Sequence, residues 1–323
     1  MGRPDILMIA PMPASIIAAL DEAFTLHRLW LQPDKDHFLQ EVGPRIRGLA
    51  ASTLAGPLTA DLLDQLPALE IIASFGVGYD NIDAADAARR GMVVTNTPGV
   101  LDDEVADLTI GLLIATIRQI PQADQHVRQG RWLHAPFPLS PTLRGRRIGI
   151  VGMGQIGTAI ARRLEGFGVE IAYHSRHAHA GARYAYHPTL LGLADVSDTL
   201  IVIVPATPAT RHMIDMPVLE ALGRDGVLIN VARGSVVDQD ALIEALARGT
   251  ILSAGLDVYA DEPRVPQQLI DMPQVVLLPH IGSASVHTRD AMGALVVANL
   301  VSWFEQGRPL TPVTESAALV KAI

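Results

Sequence analysis

Short apolar runs rich in valine and isoleucine recur along this chain, separated by stretches in which apolar residues return every three or four positions. Runs of the first kind suit strands buried on both faces, and stretches of the second kind suit amphipathic helices. Their alternation predicts parallel strands joined by crossover helices, which makes the fold class α/β. In the first hundred residues the strand candidates are "DILMIAP", "TLHRLW", "IRGLAAS", "LEIIASF" and "MVVTNTP". A second series follows at "RRIGIVG", "VEIAYHS", "TLIVIVP", "GVLINVA", "ILSAGLDVY" and "QVVLLPH". Two series predict two doubly wound parallel sheets, and therefore two domains.

Between the series, the pattern predicts an apolar helix from about Leu101 to Ile120. The next stretch, "QHVRQGRWLHAPFPLSPTLRGR", has a Pro, Gly and Arg content that resists regular structure, so an irregular segment is expected from about Ile120 to Arg146. Segments of that length inside a compact protein are usually functional or reach across to a partner. Helical periodicity returns in "SVHTRDAMGALVVANLVSWFEQG", which would carry the chain back toward the first domain. No internal repeat, heptad or low-complexity tract is present.

A chain of 323 residues, 49% hydrophobic and 18% charged, can bury a core in each of two domains. Its net charge of -9 and the absence of a basic run argue against nucleic acid or an anionic membrane as a partner, since both select a positive face. An anionic small ligand must then be held by local positive groups. The chain has no cysteine, which suits a reducing compartment, and the N-terminus lacks the cationic start and cleavage signature of a signal peptide. The apolar windows "LTIGLLIATI" and "GALVVANLVSWF" fall short of the roughly 20 residues that span a bilayer. A cytoplasmic protein is expected.

The segment Gly152–Met153–Gly154–Gln155–Ile156–Gly157 spells G-x-G-x-x-G between a predicted strand and an amphipathic helix, the context in which this motif binds a dinucleotide. The first glycine permits a tight turn, the second lets the backbone approach a pyrophosphate, and the third allows close helix–strand packing. A helix starting near Gln155 presents free N–H groups and its positive end to the phosphates. In NAD sites an acidic residue about 20 positions further on binds the ribose hydroxyls, whereas an Arg nearby accommodates a 2'-phosphate. Here the tip of the next strand carries Ser175 and Arg176, which points to NADP(H), with NADPH preferred and NAD possible. The alternative is that Arg176 is only a solvated loop residue and the site takes either cofactor. His174, His177, His179 and His187 lie nearby without a carboxylate or thiolate among them, so no metal is expected.

Arg233, Glu262 and His280 each follow a predicted strand of the second series, and strand C-termini of a doubly wound sheet face the ligand crevice. Singly each has an ordinary reading: a helix cap, a solvated turn residue and a buried structural histidine. Together, "NVARGSVVDQDALIEAL", "AGLDVYADEP" and "LLPHIGSAS", with "FGVGYDNID" and "NTPGVLDDEVADLTIGLL" upstream, resemble the D-isomer-specific 2-hydroxyacid dehydrogenase family over nearly the whole chain. "GRW" before "FPL", the "RGRRIGIVGMGQIG" block and the "HSR" strand tip look most like its bacterial glyoxylate and hydroxypyruvate reductases.

The resemblance implies a flavodoxin-like substrate domain from 1–98 plus 286–323 and a Rossmann cofactor domain from 99–285, the latter including a dimerisation helix and arm over 101–146. It implies reduction of small 2-keto acids to 2-hydroxy acids. Arg233 looks like the clamp on the substrate's carboxylate and carbonyl, where a guanidinium offers a fixed fork of donors. His280 looks like the acid that protonates the carbonyl oxygen, and Glu262 like the carboxylate that orients it and favours its charged form. The backbone around Val77 and Gly78 is expected to bind the substrate carboxylate. Asp257 is similar to a partner of the nicotinamide carboxamide, with Leu101, Pro205, Thr207, Val231, Ala232 and Gly282 lining the cofactor. A homodimer is implied in which Trp132 lies near the neighbour's substrate pocket. The apolar run from Leu108 to Ile117 supports a buried face for the dimerisation helix, with a purely intramolecular core position as the alternative. Phosphoglycerate and formate dehydrogenases fit less well: no regulatory extension follows residue 323, and Glu262 stands where formate dehydrogenases carry Gln. Transcriptional corepressors resemble the same dehydrogenases, so a redox-sensing interaction protein is the alternative from another class; feeble keto-acid turnover would mark it.

Overall fold

The computed structural model describes residues 2–52 and 56–320. The remaining positions of the two expected domain spans, 1, 53–55 and 321–323, lie outside the described residues. The chain divides into two compact units, one comprising Met1–Leu101 with Ser285–Ile323 and the other Asp102–Ala284. Leu101 and Ser285 thus group with the first unit.

In the first unit, strands β1 (Asp5–Met8), β2 (Thr25–Arg28), β3 (Ile46–Ser52), β4 (Ile71–Phe75) and β5 (Val93–Thr95) form an all-parallel sheet in the order β2-β1-β3-β4-β5. This is the flavodoxin-like order, with its switch point between β1 and β3. Strands β4 and β5 are buried along their whole length, which explains why they read as continuous apolar runs. The distant helix Val286–Gln306 covers one face. A Cβ at Gly293 would lie 2.0 Å from Ile16 Cδ1, so the glycine lets this helix close on helix Ala14–Ala23.

In the second unit, β6 (Arg147–Val151), β7 (Glu170–His174), β8 (Ala185–Tyr186), β9 (Thr199–Val202), β10 (Val227–Asn230), β11 (Ser253–Leu256) and β12 (Val275–Leu277) form a parallel sheet in the order β12-β11-β10-β9-β6-β7-β8. The chain runs outward from β6 to β8, then returns to build the other half from β9. The switch point therefore lies between β6 and β9, where such sheets open a ligand crevice. Edge strand β8 has only two paired residues and left no apolar run in the sequence.

The segment between the sheets differs from the sequence expectation. Helix Asp102–Arg118 ends before Gln119, whose φ of 51° breaks the backbone path, and a second helix begins at once over Ile120–Arg128 with Pro121 in its first turn. Proline suits that turn because the N–H it lacks would have no helical partner. Irregular backbone is thus confined to the part of the segment after Arg128, apart from a single turn at Arg131–Leu133. The apolar run of the first helix is spent inside the unit: Leu112, Leu113 and Ile117 are buried against Ile148, Ile150 and Ile229. Gly255 of β11 admits this helix, since a Cβ there would lie 2.4 Å from Thr116 Oγ1. Of the same run, Leu108, Ile110 and Ile114 are only half-buried.

Candidate active site

Every expected site residue of the second unit from Gly152 onward follows the C-terminal end of a strand, because parallel strands deliver all their carboxyl ends to one edge. Gly152 follows β6 with φ 105°, and a Cβ on it would lie 2.4 Å from the Ile203 carbonyl oxygen. A Cβ on Gly157 would lie 2.1 Å from the Gly152 oxygen, so the helix packs on the turn with no room for a side chain. Gly154 differs: nothing lies within 4 Å of its Cβ position. No protein atom requires glycine there, and the backbone is left bare. Helix Gln155–Glu165 starts at Gly154 with no side-chain cap, leaving its first N–H groups free. Met153 is buried beneath the turn, while Gln155 is exposed and Ile156 half-buried. A dinucleotide pyrophosphate fits this cradle.

At the tip of β7, Ser175 Oγ donates to the His177 carbonyl at 2.6 Å and the Tyr186 hydroxyl donates to the Ser175 carbonyl at 3.3 Å. The turn is therefore fixed by its own hydrogen bonds. Arg176 projects from it exposed, with no ion pair among the described residues. No carboxylate occupies the tip, so an anion meets a cation and no competing negative charge. His174 bonds the His187 carbonyl at 2.9 Å, and the His179 ring packs edge-on against Tyr173, so two of the nearby histidines have structural work. Pro205 and Thr207 follow β9, where Thr210 Oγ1 accepts from the Thr207 N–H at 2.8 Å and donates to the Pro205 carbonyl at 2.7 Å. Both residues are exposed on that turn.

The three ionisable candidates sit beyond β10, β11 and β12, neighbours in the other half of the sheet. His280 Nδ1 and Glu262 Oε2 are 2.7 Å apart, each side chain about 30% exposed. Burial alone would raise the Glu262 carboxyl. The His280 hydrogen bond, the Tyr259 N–H, and the charges of His280 and Arg233 outweigh it and hold the group below the usual carboxylate range. Glu262 is therefore ionised at neutral pH, with His280 Nδ1 held against its carboxylate. With Nδ1 engaged, Nε2 is the ring nitrogen left to face a substrate. Arg233 is half-buried and donates through one nitrogen to the Ala232 carbonyl at 2.8 Å.

Several residues that fix these loops were not legible as such. Asn230 ends β10 almost fully buried; its Nδ2 donates to the Arg233 carbonyl at 3.1 Å and its Oδ1 accepts from the Ala232 N–H at 3.1 Å. That double bond pattern locks the turn in which Val231 and Ala232 are buried ahead of Arg233. Asp257, expected beside the nicotinamide carboxamide, is 2% exposed, and its two carboxylate oxygens accept from the Ile281 and Gly282 N–H groups at 2.7 and 2.9 Å. It thus anchors the segment that follows His280. Burial pushes its carboxyl above the ordinary value, despite the two N–H donors and the nearby His280. The only sequence signal for these roles was a polar residue ending an apolar strand.

Val77, Gly78 and Leu101 belong to the first unit. Val77 and Gly78 lie just past the C-terminal end of β4, where Asn96 Nδ2 donates to the Val77 carbonyl at 2.8 Å and the Thr97 N–H donates to the Gly76 carbonyl at 2.9 Å. Leu101 is buried. Trp132 lies in the arm at 67% exposure, next to Leu133 at 86% and with Leu139 fully exposed. Ile120 and Val127, on the preceding helix, are also exposed. The arm folds back on that helix through buried His126, whose Nε2 meets the Ala135 carbonyl at 3.0 Å and whose ring packs against Phe137. Among the described residues no cluster of His, Asp and Glu is arranged to hold a metal ion, and no helix is long and apolar enough to cross a membrane.

Residues 110–282 match the family described as D-isomer specific 2-hydroxyacid dehydrogenase, NAD binding domain. Among solved structures, the NADPH-dependent glyoxylate/hydroxypyruvate reductase of Sinorhizobium meliloti in complex with NADP and malonate superposes with a TM-score of 0.92. It is 52% identical, over 98% of this chain and 98% of that one. A glyoxylate/hydroxypyruvate reductase A of Arabidopsis thaliana is 45% identical over 308 residues, covering 95% of this chain and 98% of its own. A hydroxyphenylpyruvate reductase of Plectranthus scutellarioides is 45% identical over 309 residues, covering 95% of this chain and 98% of its own.

Proposed function

The chain belongs to the D-isomer-specific 2-hydroxyacid dehydrogenase family, and from that premise we propose that it is an NADPH-dependent reductase of small 2-keto acids such as glyoxylate and hydroxypyruvate. The observation that carries this reading is the 2.7 Å pair of His280 and Glu262 on loops adjoining that of Arg233. Glu262 keeps the imidazole protonated, Nε2 delivers that proton to the substrate's carbonyl oxygen, and Arg233 binds the carboxylate and polarises the carbonyl through its fork of donors. In the first unit, the backbone at Val77 and Gly78 is a further candidate for carboxylate binding. NADPH, when bound, supplies the hydride that reaches the carbonyl carbon. The glycine turn and the N–H groups at Gln155 and Ile156 hold its pyrophosphate, and Ser175 with Arg176 takes the 2'-phosphate. Pro205, Thr207, Val231, Ala232, Asp257, Gly282 and Leu101 line the rest of its site.

The exposed apolar arm supports a homodimer in which Trp132 borders the substrate pocket of the partner subunit, because five exposed large apolar residues in one short segment, Ile120, Val127, Trp132, Leu133 and Leu139, are unusual on a monomer. A cytoplasmic site agrees with the lack of cysteine. The test is a spectrophotometric screen of keto acids with NADPH and NADH in parallel, repeated with His280→Ala. Removing the proton donor lowers kcat by roughly 100-fold or more with NADPH binding retained. Undiminished turnover in that variant removes His280 from the mechanism, and feeble turnover in the unmutated protein with tight cofactor binding favours a sensor.

A further inference from the structure

Arg233, Glu262 and His280 stand on three separate loops, and one residue, through its backbone and its side chain together, touches the framework of all three. Tyr259 is buried, with 7% of its surface exposed. Its N–H donates to Glu262 Oε1 at 3.0 Å, and its hydroxyl donates to the Leu278 carbonyl at 2.8 Å, two residues before His280. Gly234, the neighbour of Arg233, lies flat against the same residue: a Cβ on it would sit 1.8 Å from the Tyr259 carbonyl carbon.

His280 itself has a φ of 54°, a conformation that a residue with a Cβ keeps only when its surroundings over-determine it. Those surroundings are visible. After His280, Asp257 takes the N–H groups of Ile281 and Gly282. Before it, Leu278 is held twice, by its own N–H donating to the Leu256 carbonyl at 2.8 Å and by the Tyr259 hydroxyl on its carbonyl.

We propose that Tyr259 is a positioning residue, whose hydroxyl, through the Leu278 carbonyl, keeps His280 in register with Glu262 so that the pair holds its proton at the pH of the reaction. The hydroxyl is the atom that matters, since a phenylalanine would fill the same volume and keep the N–H to Glu262. Without it the segment before His280 loses one of its two anchors, and the Glu262 contact loosens. The phenol does not itself titrate in the working range, because burial, with the charge of Asp257, pushes it far above its ordinary value. The charged groups that bear on the pair are Arg233 and Asp257, both unaltered by the substitution.

The inference rests on His280 being the proton donor, and the test separates the two. In Tyr259→Phe, kcat for glyoxylate reduction is expected to fall roughly threefold to tenfold, the effect of one lost hydrogen bond. NADPH affinity should stay within about twofold. The alkaline limb of the kcat/KM profile should move to lower pH, because a loosened carboxylate contact supports the protonated ring less firmly. Proton NMR titration of His280 in the same variant, without substrate, reads that displacement independently of turnover. The thermal midpoint is followed alongside, with both assays run well below it. A lower midpoint with an unmoved limb and an unmoved His280 titration overturns the proposal and leaves Tyr259 a structural residue only. An unmutated protein that turns over no keto acid defeats the functional reading instead, and the NMR titration still decides the role of Tyr259.

Discussion

Gly154 and Gly157 belong to one turn, yet their surroundings require opposite outcomes when each becomes alanine. At Gly157 the new Cβ would lie 2.1 Å from the Gly152 oxygen, a backbone atom that cannot swing aside as a side chain tip can. Helix Gln155–Glu165 must lift from the turn, an overpacking cost of about 1–3 kcal/mol. At about 2–4 °C per kcal/mol for a unit of this size, the melting midpoint of Gly157→Ala falls by roughly 2–12 °C. At Gly154 the Cβ meets nothing within 4 Å, and its φ of -77° needs no glycine. Gly154→Ala therefore does not lower the midpoint of the cofactor-free protein and raises it by roughly 1–4 °C, since a permitted Gly→Ala change stabilises by about 0.4–1 kcal/mol. Its methyl group instead occupies the space into which a pyrophosphate would settle, so the Kd for NADPH rises about tenfold or more, equivalent to about 1.4 kcal/mol or above. Differential scanning fluorimetry without cofactor and calorimetric titration with NADPH measure the two effects. Gly154→Ala binding NADPH like the unmutated protein would place the phosphates elsewhere, and equal melting losses in both variants would refute the distinction drawn from the packing.

Three further variants test the site. Glu262→Gln removes the negative charge that keeps the proton on His280, so the optimum for keto-acid reduction shifts to lower pH; an unchanged profile removes Glu262 from the mechanism. Because the Glu262 carboxyl lies below its ordinary value in the folded protein, its contribution to stability is complete above the unfolded-state value and lost as pH falls through the folded one. Acid melting curves of the Gln variant should therefore be flatter across that window than those of the unmutated protein. Arg176→Ala should erase most of an NADPH-over-NADH preference in kcat/KM of at least about tenfold, or 1.4 kcal/mol, and equal efficiencies before mutation would exclude the 2'-phosphate role. Trp132→Ala should raise KM for small keto acids and relax discrimination against bulkier ones, while sedimentation shows a dimer at micromolar concentration; a fully active monomer would contradict both.

Local chemistry made most of this protein legible from its sequence. Strands buried on both faces must be apolar throughout, so β4, β5, β9 and β10 announced themselves, and a dinucleotide turn must place glycines at fixed spacing behind a strand, as Gly152, Gly154 and Gly157 do. Ser175 and Arg176 could be found by counting forward from that turn. What the sequence left open was decided by contacts between segments far apart in the chain. The apolar face of helix Asp102–Arg118 reads the same whether it meets a partner or its own sheet, and only the structure shows that Leu112, Leu113 and Ile117 enter the core of their own unit. The break at Gln119 depends on one backbone angle that no composition encodes. Asn230 and Tyr259 drew no notice in the sequence and Asp257 only as a cofactor neighbour, because their structural roles lie in hydrogen bonds to loops that a linear pattern cannot pair with them. The amino-acid sequence fixes which groups reach the sheet's carboxyl edge, since strand periodicity is local; the distances between those groups depend on strand order, and strand order exists only in the folded chain.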